Sequence, residues 1–148
     1  GKKGNLRLKA AEELELDAVI DSSAQDPIGV VADATGGVGA DVVVEAAGTN
    51  EAISLSLQLL RRDGSMVALG LSSEERIAFP WNEAMKKVCR IVFSWSSTSS
   101  SWDKALEIMQ RSSGYIDKII THELPLTAWE DGFRLLDERR AVKCVLIP

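Results

Sequence analysis

Apolar positions along the chain recur at two spacings, one helical and one strand-like. Leu6, Ala10 and Leu14 fall at i, i+4 and i+8, with Lys9, Glu12 and Glu13 on other faces, which predicts a helix of about three turns. Ala18-Val19-Ile20-Asp21 reads as a short buried strand. Asp26-Pro27 predicts a helix start, because Asp accepts from unpaired N–H groups and Pro at the first helical position loses no bond. That helix runs to about Ala34 and stops at Thr35-Gly36-Gly37. Residues 41–48 form the strongest strand signal, β-branched and apolar on both alternating faces, as in a strand covered on both sides. Thr49-Asn50 offers a cap for a helix over residues 52–60, with Arg61 and Arg62 in its last turn. Asp63-Gly64 is a turn signal, and residues 65–71 read as the next buried strand.

The second half continues the pattern. A polar loop over residues 72–76 leads to Phe79-Pro80 and a short helix at residues 82–87. Residues 89–95 read as a strand, and the Ser/Thr stretch of residues 96–101 as a flexible loop. A helix follows at residues 102–110, then a strand at residues 118–121. Thr127-Ala128-Trp129-Glu130 has capping-box spacing and predicts a helix start. Residues 142–147 form a terminal strand. Alternating strands and helices at this spacing imply right-handed crossovers and an α/β fold with a doubly wound, mostly parallel sheet. Ligands of such sheets bind at the carboxyl ends of the strands. Those ends are Asp21-Ser22, Ala47-Gly48-Thr49, Leu69-Gly70-Leu71 and Ser94-Trp95.

Composition narrows the chemistry. The chain has 148 residues, enough for one domain with a real core, and residues 1–148 are expected to form a single domain. Seventeen basic residues against 22 acidic ones leave a net charge of -5, which argues against nucleic acid or an anionic membrane surface as partner. No apolar run approaches the roughly 20 residues that span a bilayer. Cys89 and Cys144 each sit in an apolar run and read as small buried side chains, which fits a reducing cytoplasm. With two Cys and one His (His122), no Cys/His metal site of tight spacing can be built.

Three stretches, in order, resemble the medium-chain dehydrogenase/reductase family. They are Thr35-Gly36-Gly37-Val38-Gly39-Ala40-Asp41-Val42-Val43-Val44-Glu45-Ala46-Ala47-Gly48, then Asp63-Gly64-Ser65-Met66-Val67-Ala68-Leu69-Gly70-Leu71, and finally Ile119-Ile120-Thr121-His122-Glu123-Leu124-Pro125-Leu126 with the helix and strand after it. Zinc-dependent alcohol, polyol and threonine dehydrogenases belong to that family. The resemblance implies a partial Rossmann fold lacking its first strand and Gly-rich turn, since the chain holds no G-x-G-x-x-G. It implies the C-terminal, nucleotide-binding part of a longer dehydrogenase, with zinc held only by an N-terminal domain outside this sequence. The piece alone is expected to be inactive, and no catalytic or metal-binding residue carries over to it.

The resemblance assigns cofactor contacts position by position. Ala47, Gly48 and Thr49 would lie beside the adenine end of NAD or NADP, with Gly48 allowing close backbone approach. Leu69, Gly70 and Leu71 would line the nicotinamide, Ser94 and Trp95 would close the same pocket, and Arg7 corresponds to a basic position near the adenosine ribose. The basic start Gly1-Lys2-Lys3, with no acid, leans towards NADP. The family has Gly-Ala-Asp after the first helix, whereas this chain has Glu15-Leu16-Asp17, so a different helix end is expected. His122 matches a structural position. The substrate would be a small alcohol or carbonyl compound. Two other readings stay open: a zinc-free quinone or enoyl reductase, and a non-enzymatic dimerisation module pairing through the strand of residues 90–95. That strand would also make the parent a homo-oligomer.

Overall fold

The computed structural model describes residues 6–148, so the basic start at Gly1-Lys2-Lys3 lies outside the described residues. In chain order the elements are α1 (Leu6–Glu12), α2 (Pro27–Ala34), β1 (Ala40–Glu45), α3 (Asn50–Leu59), β2 (Leu60–Ala68), α4 (Trp81–Lys87) and β3 (Arg90–Phe93). They continue with α5 (Ser99–Arg111), α6 (Ser113–Ile119), β4 (Ile120–Pro125), a 3-10 turn (Leu126–Ala128), α7 (Trp129–Asp137) and β5 (Lys143–Ile147). The fold is α/β, and every strand pair is parallel. Two compact units are present: Gln25–Ser96, and the described residues up to Ala24 together with Ser97–Pro148.

In the unit Gln25–Ser96 the sheet order is β1-β2-β3, each parallel to the next. Asp26 caps α2 with both carboxylate oxygens, accepting from the N–H of Ile28 and of Gly29 at 3.1 Å each. Helix α3 packs on β1 and β2, and α4 packs on β2. Leu57 and Leu60 are fully buried, and with Met66 and Ala84 they form the core under which Val43, Ala68 and Ile91 pack. Complete burial of one such leucine contributes about 2 kcal/mol. Residues on one face of β1 thus meet helices. The alternate residues Val42 and Val44 are 58% and 56% exposed, against the expectation of a strand covered on both sides. The packing helices α3 and α4 meet the face that carries Val43, Met66 and Ile91, which leaves the alternate positions of β1 open.

In the other unit β4 pairs with β5, and α7 packs on both strands. Glu15 takes φ +52 just beyond α1, so this helix ends left-handed without the glycine that adopts such angles easily. Tyr115 Oη donates to Glu15 Oε2 at 2.8 Å, and that carboxylate holds the phenol above its ordinary pKa of 10.0. His122 lies in β4, its Nδ1 3.0 Å from Thr121 Oγ1.

Several local expectations change. Residues 18–21 pair with no strand among the described residues, and Asp21 instead accepts from the Ser23 hydroxyl and N–H, which lowers its pKa below 3.8. A strand needs a ladder partner, and a run of three apolar residues closed by Asp21 does not supply one. Arg61 and Arg62 open β2 rather than close α3; Asp63, at φ +56, bulges that strand, so Ala40 pairs with Leu60 while Val42 pairs with Ser65. The Ser/Thr stretch is partly helical, because Thr98 Oγ1 accepts from Ser101 N–H and starts α5 at Ser99. Helix α6 occupies residues read as loop and strand. Thr127 sits inside a 3-10 turn and makes no capping bond, so α7 starts after Ala128. Cys89 and Cys144 are half-buried free thiols.

Candidate functional site

The carboxyl ends of β1 and β2 meet in one tight knot of backbone. Gly48, at φ +70, lies so close to the second loop that a Cβ on it would sit 2.5 Å from Leu71 O. A Cβ on Gly70 would collide with the Gly48 nitrogen and lie 2.5 Å from Glu45 Oε2. Only residues without a side chain allow two main chains to approach this way. The structure therefore brings together Gly48, Gly70 and Leu71, with Ala47 and Leu69 beside them.

Glu45 sits at the centre of this knot. It is 3% exposed. Its Oε1 accepts from Ala47 N–H at 2.7 Å and from Gly48 N–H at 2.8 Å. Its main-chain carbonyl accepts from Leu69 N–H at 2.8 Å and Gly70 N–H at 3.1 Å. A buried carboxylate must be paired or hydrogen-bonded, and here main-chain donors do that work. Sequence reasoning passed over Glu45 as one residue of an apolar strand. The available signal was the acid itself, a charge at an interior position of a strand read as buried.

The remaining assigned residues are placed as follows. Thr49 caps α3, its Oγ1 accepting from Ala52 N–H at 3.2 Å. Asn50 holds the next loop, with Oδ1 accepting from Ala78 N–H at 3.0 Å. Leu69 is 50% exposed and Leu71 72% exposed, so apolar side chains face outward from the knot. Ser94 donates its N–H to Ala68 O at 3.1 Å, which brings the end of β3 beside the end of β2. Trp95 is exposed. Arg7 is an exposed residue of α1, in the other unit. Asp21-Ser22 ends no strand.

Two sizeable cavities of this unit lie elsewhere. One of about 440 Å³ is lined by Gly37, Leu59, Arg62, Lys86 and Lys87, at the amino ends of β1 and β2. An apolar one of about 360 Å³ is lined by Phe79, Trp81, Met85, Val88, Cys89 and Ile91. Among the described residues no group of three or more His, Cys, Asp or Glu could hold a metal ion, so the residues present do not fit a zinc site. Among them, no helix is long and apolar enough to cross a membrane.

The family profile described as zinc-binding dehydrogenase matches residues 3–111. The chain belongs to the zinc-binding dehydrogenase family. Among its relatives is a sorbitol dehydrogenase of Halalkalibacterium halodurans, 30% identical over 97% of this chain and 42% of the relative. An L-threonine 3-dehydrogenase of Bacillus velezensis is 29% identical over 99% of this chain and 42% of its own length. Among solved structures, the alcohol dehydrogenase TADH from Thermus sp. ATN1 superimposes with a TM-score of 0.86 at 26% identity, over 96% of this chain and 41% of that one. The chain thus spans about two-fifths of the length of the relatives it matches.

Proposed function

We propose that residues 1–148 are the C-terminal, nucleotide-binding portion of a longer dehydrogenase that oxidises a small alcohol or polyol, or reduces the matching carbonyl, with NAD or NADP. The observation that carries this reading is the knot of Gly48, Gly70 and Leu71 at the carboxyl ends of two parallel strands, where open α/β sheets bind ligands. The cofactor supplies the hydride chemistry. The chain's part is to bind and orient: Ala47, Gly48 and Thr49 towards the adenine end, Leu69, Gly70 and Leu71 against the nicotinamide, and Ser94 and Trp95 closing the pocket. Zinc would belong to a domain outside this sequence, and the 148 residues alone turn over no alcohol. The half-buried free thiols of Cys89 and Cys144 favour a reducing, cytoplasmic setting.

A second copy as partner has its own support. Strand β3 is the last of its sheet, Phe93 is 83% exposed on it, and Val92 and Trp95 are exposed too. An uncovered apolar edge is a template for pairing, so the parent is read as a homo-oligomer through residues 90–95.

Leu71 gives the test of the cofactor site, because its exposure makes substitution nearly neutral for stability. In the intact dehydrogenase carrying this sequence, Leu71→Ala should raise the KM for the nicotinamide cofactor about fivefold or more with an unchanged melting temperature, the effect of losing part of an apolar contact. An unchanged KM, or alcohol oxidation by the 148 residues alone, would overturn the reading.

A further inference from the structure

Glu45 does more than fill a place in β1. Its two kinds of oxygen serve two different loops. The carboxylate takes the N–H groups of Ala47 and Gly48, which begin the loop leading to α3. The carbonyl takes those of Leu69 and Gly70, which begin the loop after β2. The second carboxylate oxygen fills the space where a side chain on Gly70 would lie. Any residue at this position would offer the carbonyl; what the Glu45 side chain adds is to bond Ala47 and Gly48 while packing against Gly70, so the carboxylate touches both segments that the proposed cofactor site draws on.

We infer that Glu45 is a positioning residue: it clamps the β1–α3 loop and the loop after β2 into one unit, so that Gly48 and residues 69–71 present a single fixed surface to the dinucleotide. This inference rests on the reading of these loops as the cofactor site. Without the clamp, each loop would order separately on binding, and that ordering would count against affinity. Glu45 touches no reacting atom, so its removal should weaken cofactor binding and spare the turnover of the bound complex.

Two measurements test this. The first is backbone amide exchange in the chain with Glu45, with Glu45→Ala and with Glu45→Gln. Gln keeps one carbonyl oxygen to accept an N–H and should restore much of the protection. In the Ala variant exchange should speed up by about tenfold at Ala47 and Gly48, the loss expected for one charge-assisted bond, and also at Leu69 and Gly70, which keep their bonds to the main-chain carbonyl of residue 45 but lose the packing of Oε2 against Gly70, while Met66 and Val67 keep their rates. Acceleration confined to Ala47 and Gly48, or equal at Met66, overturns the clamp. The second is steady-state kinetics in the intact dehydrogenase. KM for the cofactor should rise in the order Glu, Gln, Ala with kcat nearly constant. If Leu71→Ala raises that KM and Glu45→Ala does not, the positioning role falls while the site stands. If neither raises it, the cofactor site falls and the positioning role with it.

Discussion

Opposite charges hold the chain before α3 and the end of α3, and the contrast separates the proposed site from a support. Just ahead of the helix, Glu45 offers a carboxylate to the N–H groups of Ala47 and Gly48, and Thr49 caps the first turn. At its end, Lys87 Nζ donates to the carbonyls of Leu57 at 2.5 Å, Gln58 at 2.9 Å and Leu60 at 2.5 Å. Lys87 suits the helix dipole, with positive charge at the carboxyl end, whereas Glu45 binds N–H groups that precede the helix. They differ in what surrounds them. Around Glu45 two main chains touch and leave no slack, while Lys87 lines a cavity of about 440 Å³. The larger cavity therefore marks the end where a lysine is spent on the helix itself. The end proposed to take a ligand is the one built from glycines and exposed leucines.

Substitutions at the two ends should break this contrast in a graded way. The largest effect is expected for Gly70→Ala, whose new Cβ meets the Gly48 nitrogen and Glu45 Oε2 with nowhere to go. It should destabilise the fold by about 3 kcal/mol, read as a lower urea midpoint at unchanged slope. A loss below about 1 kcal/mol would mean that the knot has slack. Lys87→Met keeps the aliphatic stem but removes the donor from three carbonyls, and should cost about 2 kcal/mol in the same measurement. A negligible cost would show that water in the cavity replaces the ammonium, which sharpens the difference between the ends. Thr49→Ala removes one capping bond and should cost about 1 kcal/mol. A larger cost than that of Lys87→Met would reverse the ranking of charge over cap.

Local signals in the sequence were legible where the partner is near in the chain. Asp26-Pro27 announces α2, and Thr49 announces α3, because a cap bonds to N–H groups two or three residues on. The glycines at positions 48 and 70 stood out at strand ends for the same local reason. Signals failed where a distant group decides. Arg61 and Arg62 looked like the close of a helix, but pairing of Leu60 with Ala40 draws them into β2. Residues 18–21 looked like a strand, and strand formation depends on a neighbour that the four residues do not specify. Thr127 had the spacing of a capping box, yet the 3-10 turn over Leu126–Ala128 takes its place. Glu45 was hidden because its meaning lies in the loop after β2, more than 20 residues away.

By itself the sequence determined the α/β order of elements, the parallel pairing that such an order requires, and the family to which the chain belongs. These follow from apolar spacing, caps and motif order, all short-range properties of the chain. Tertiary structure alone decided that Gly48 and Gly70 are adjacent, that Glu45 joins their loops, and that Lys87 closes α3. The first two depend on the register of β1 against β2, which is set by packing of whole faces rather than by any one residue, and the third on the packing of α4 against β2.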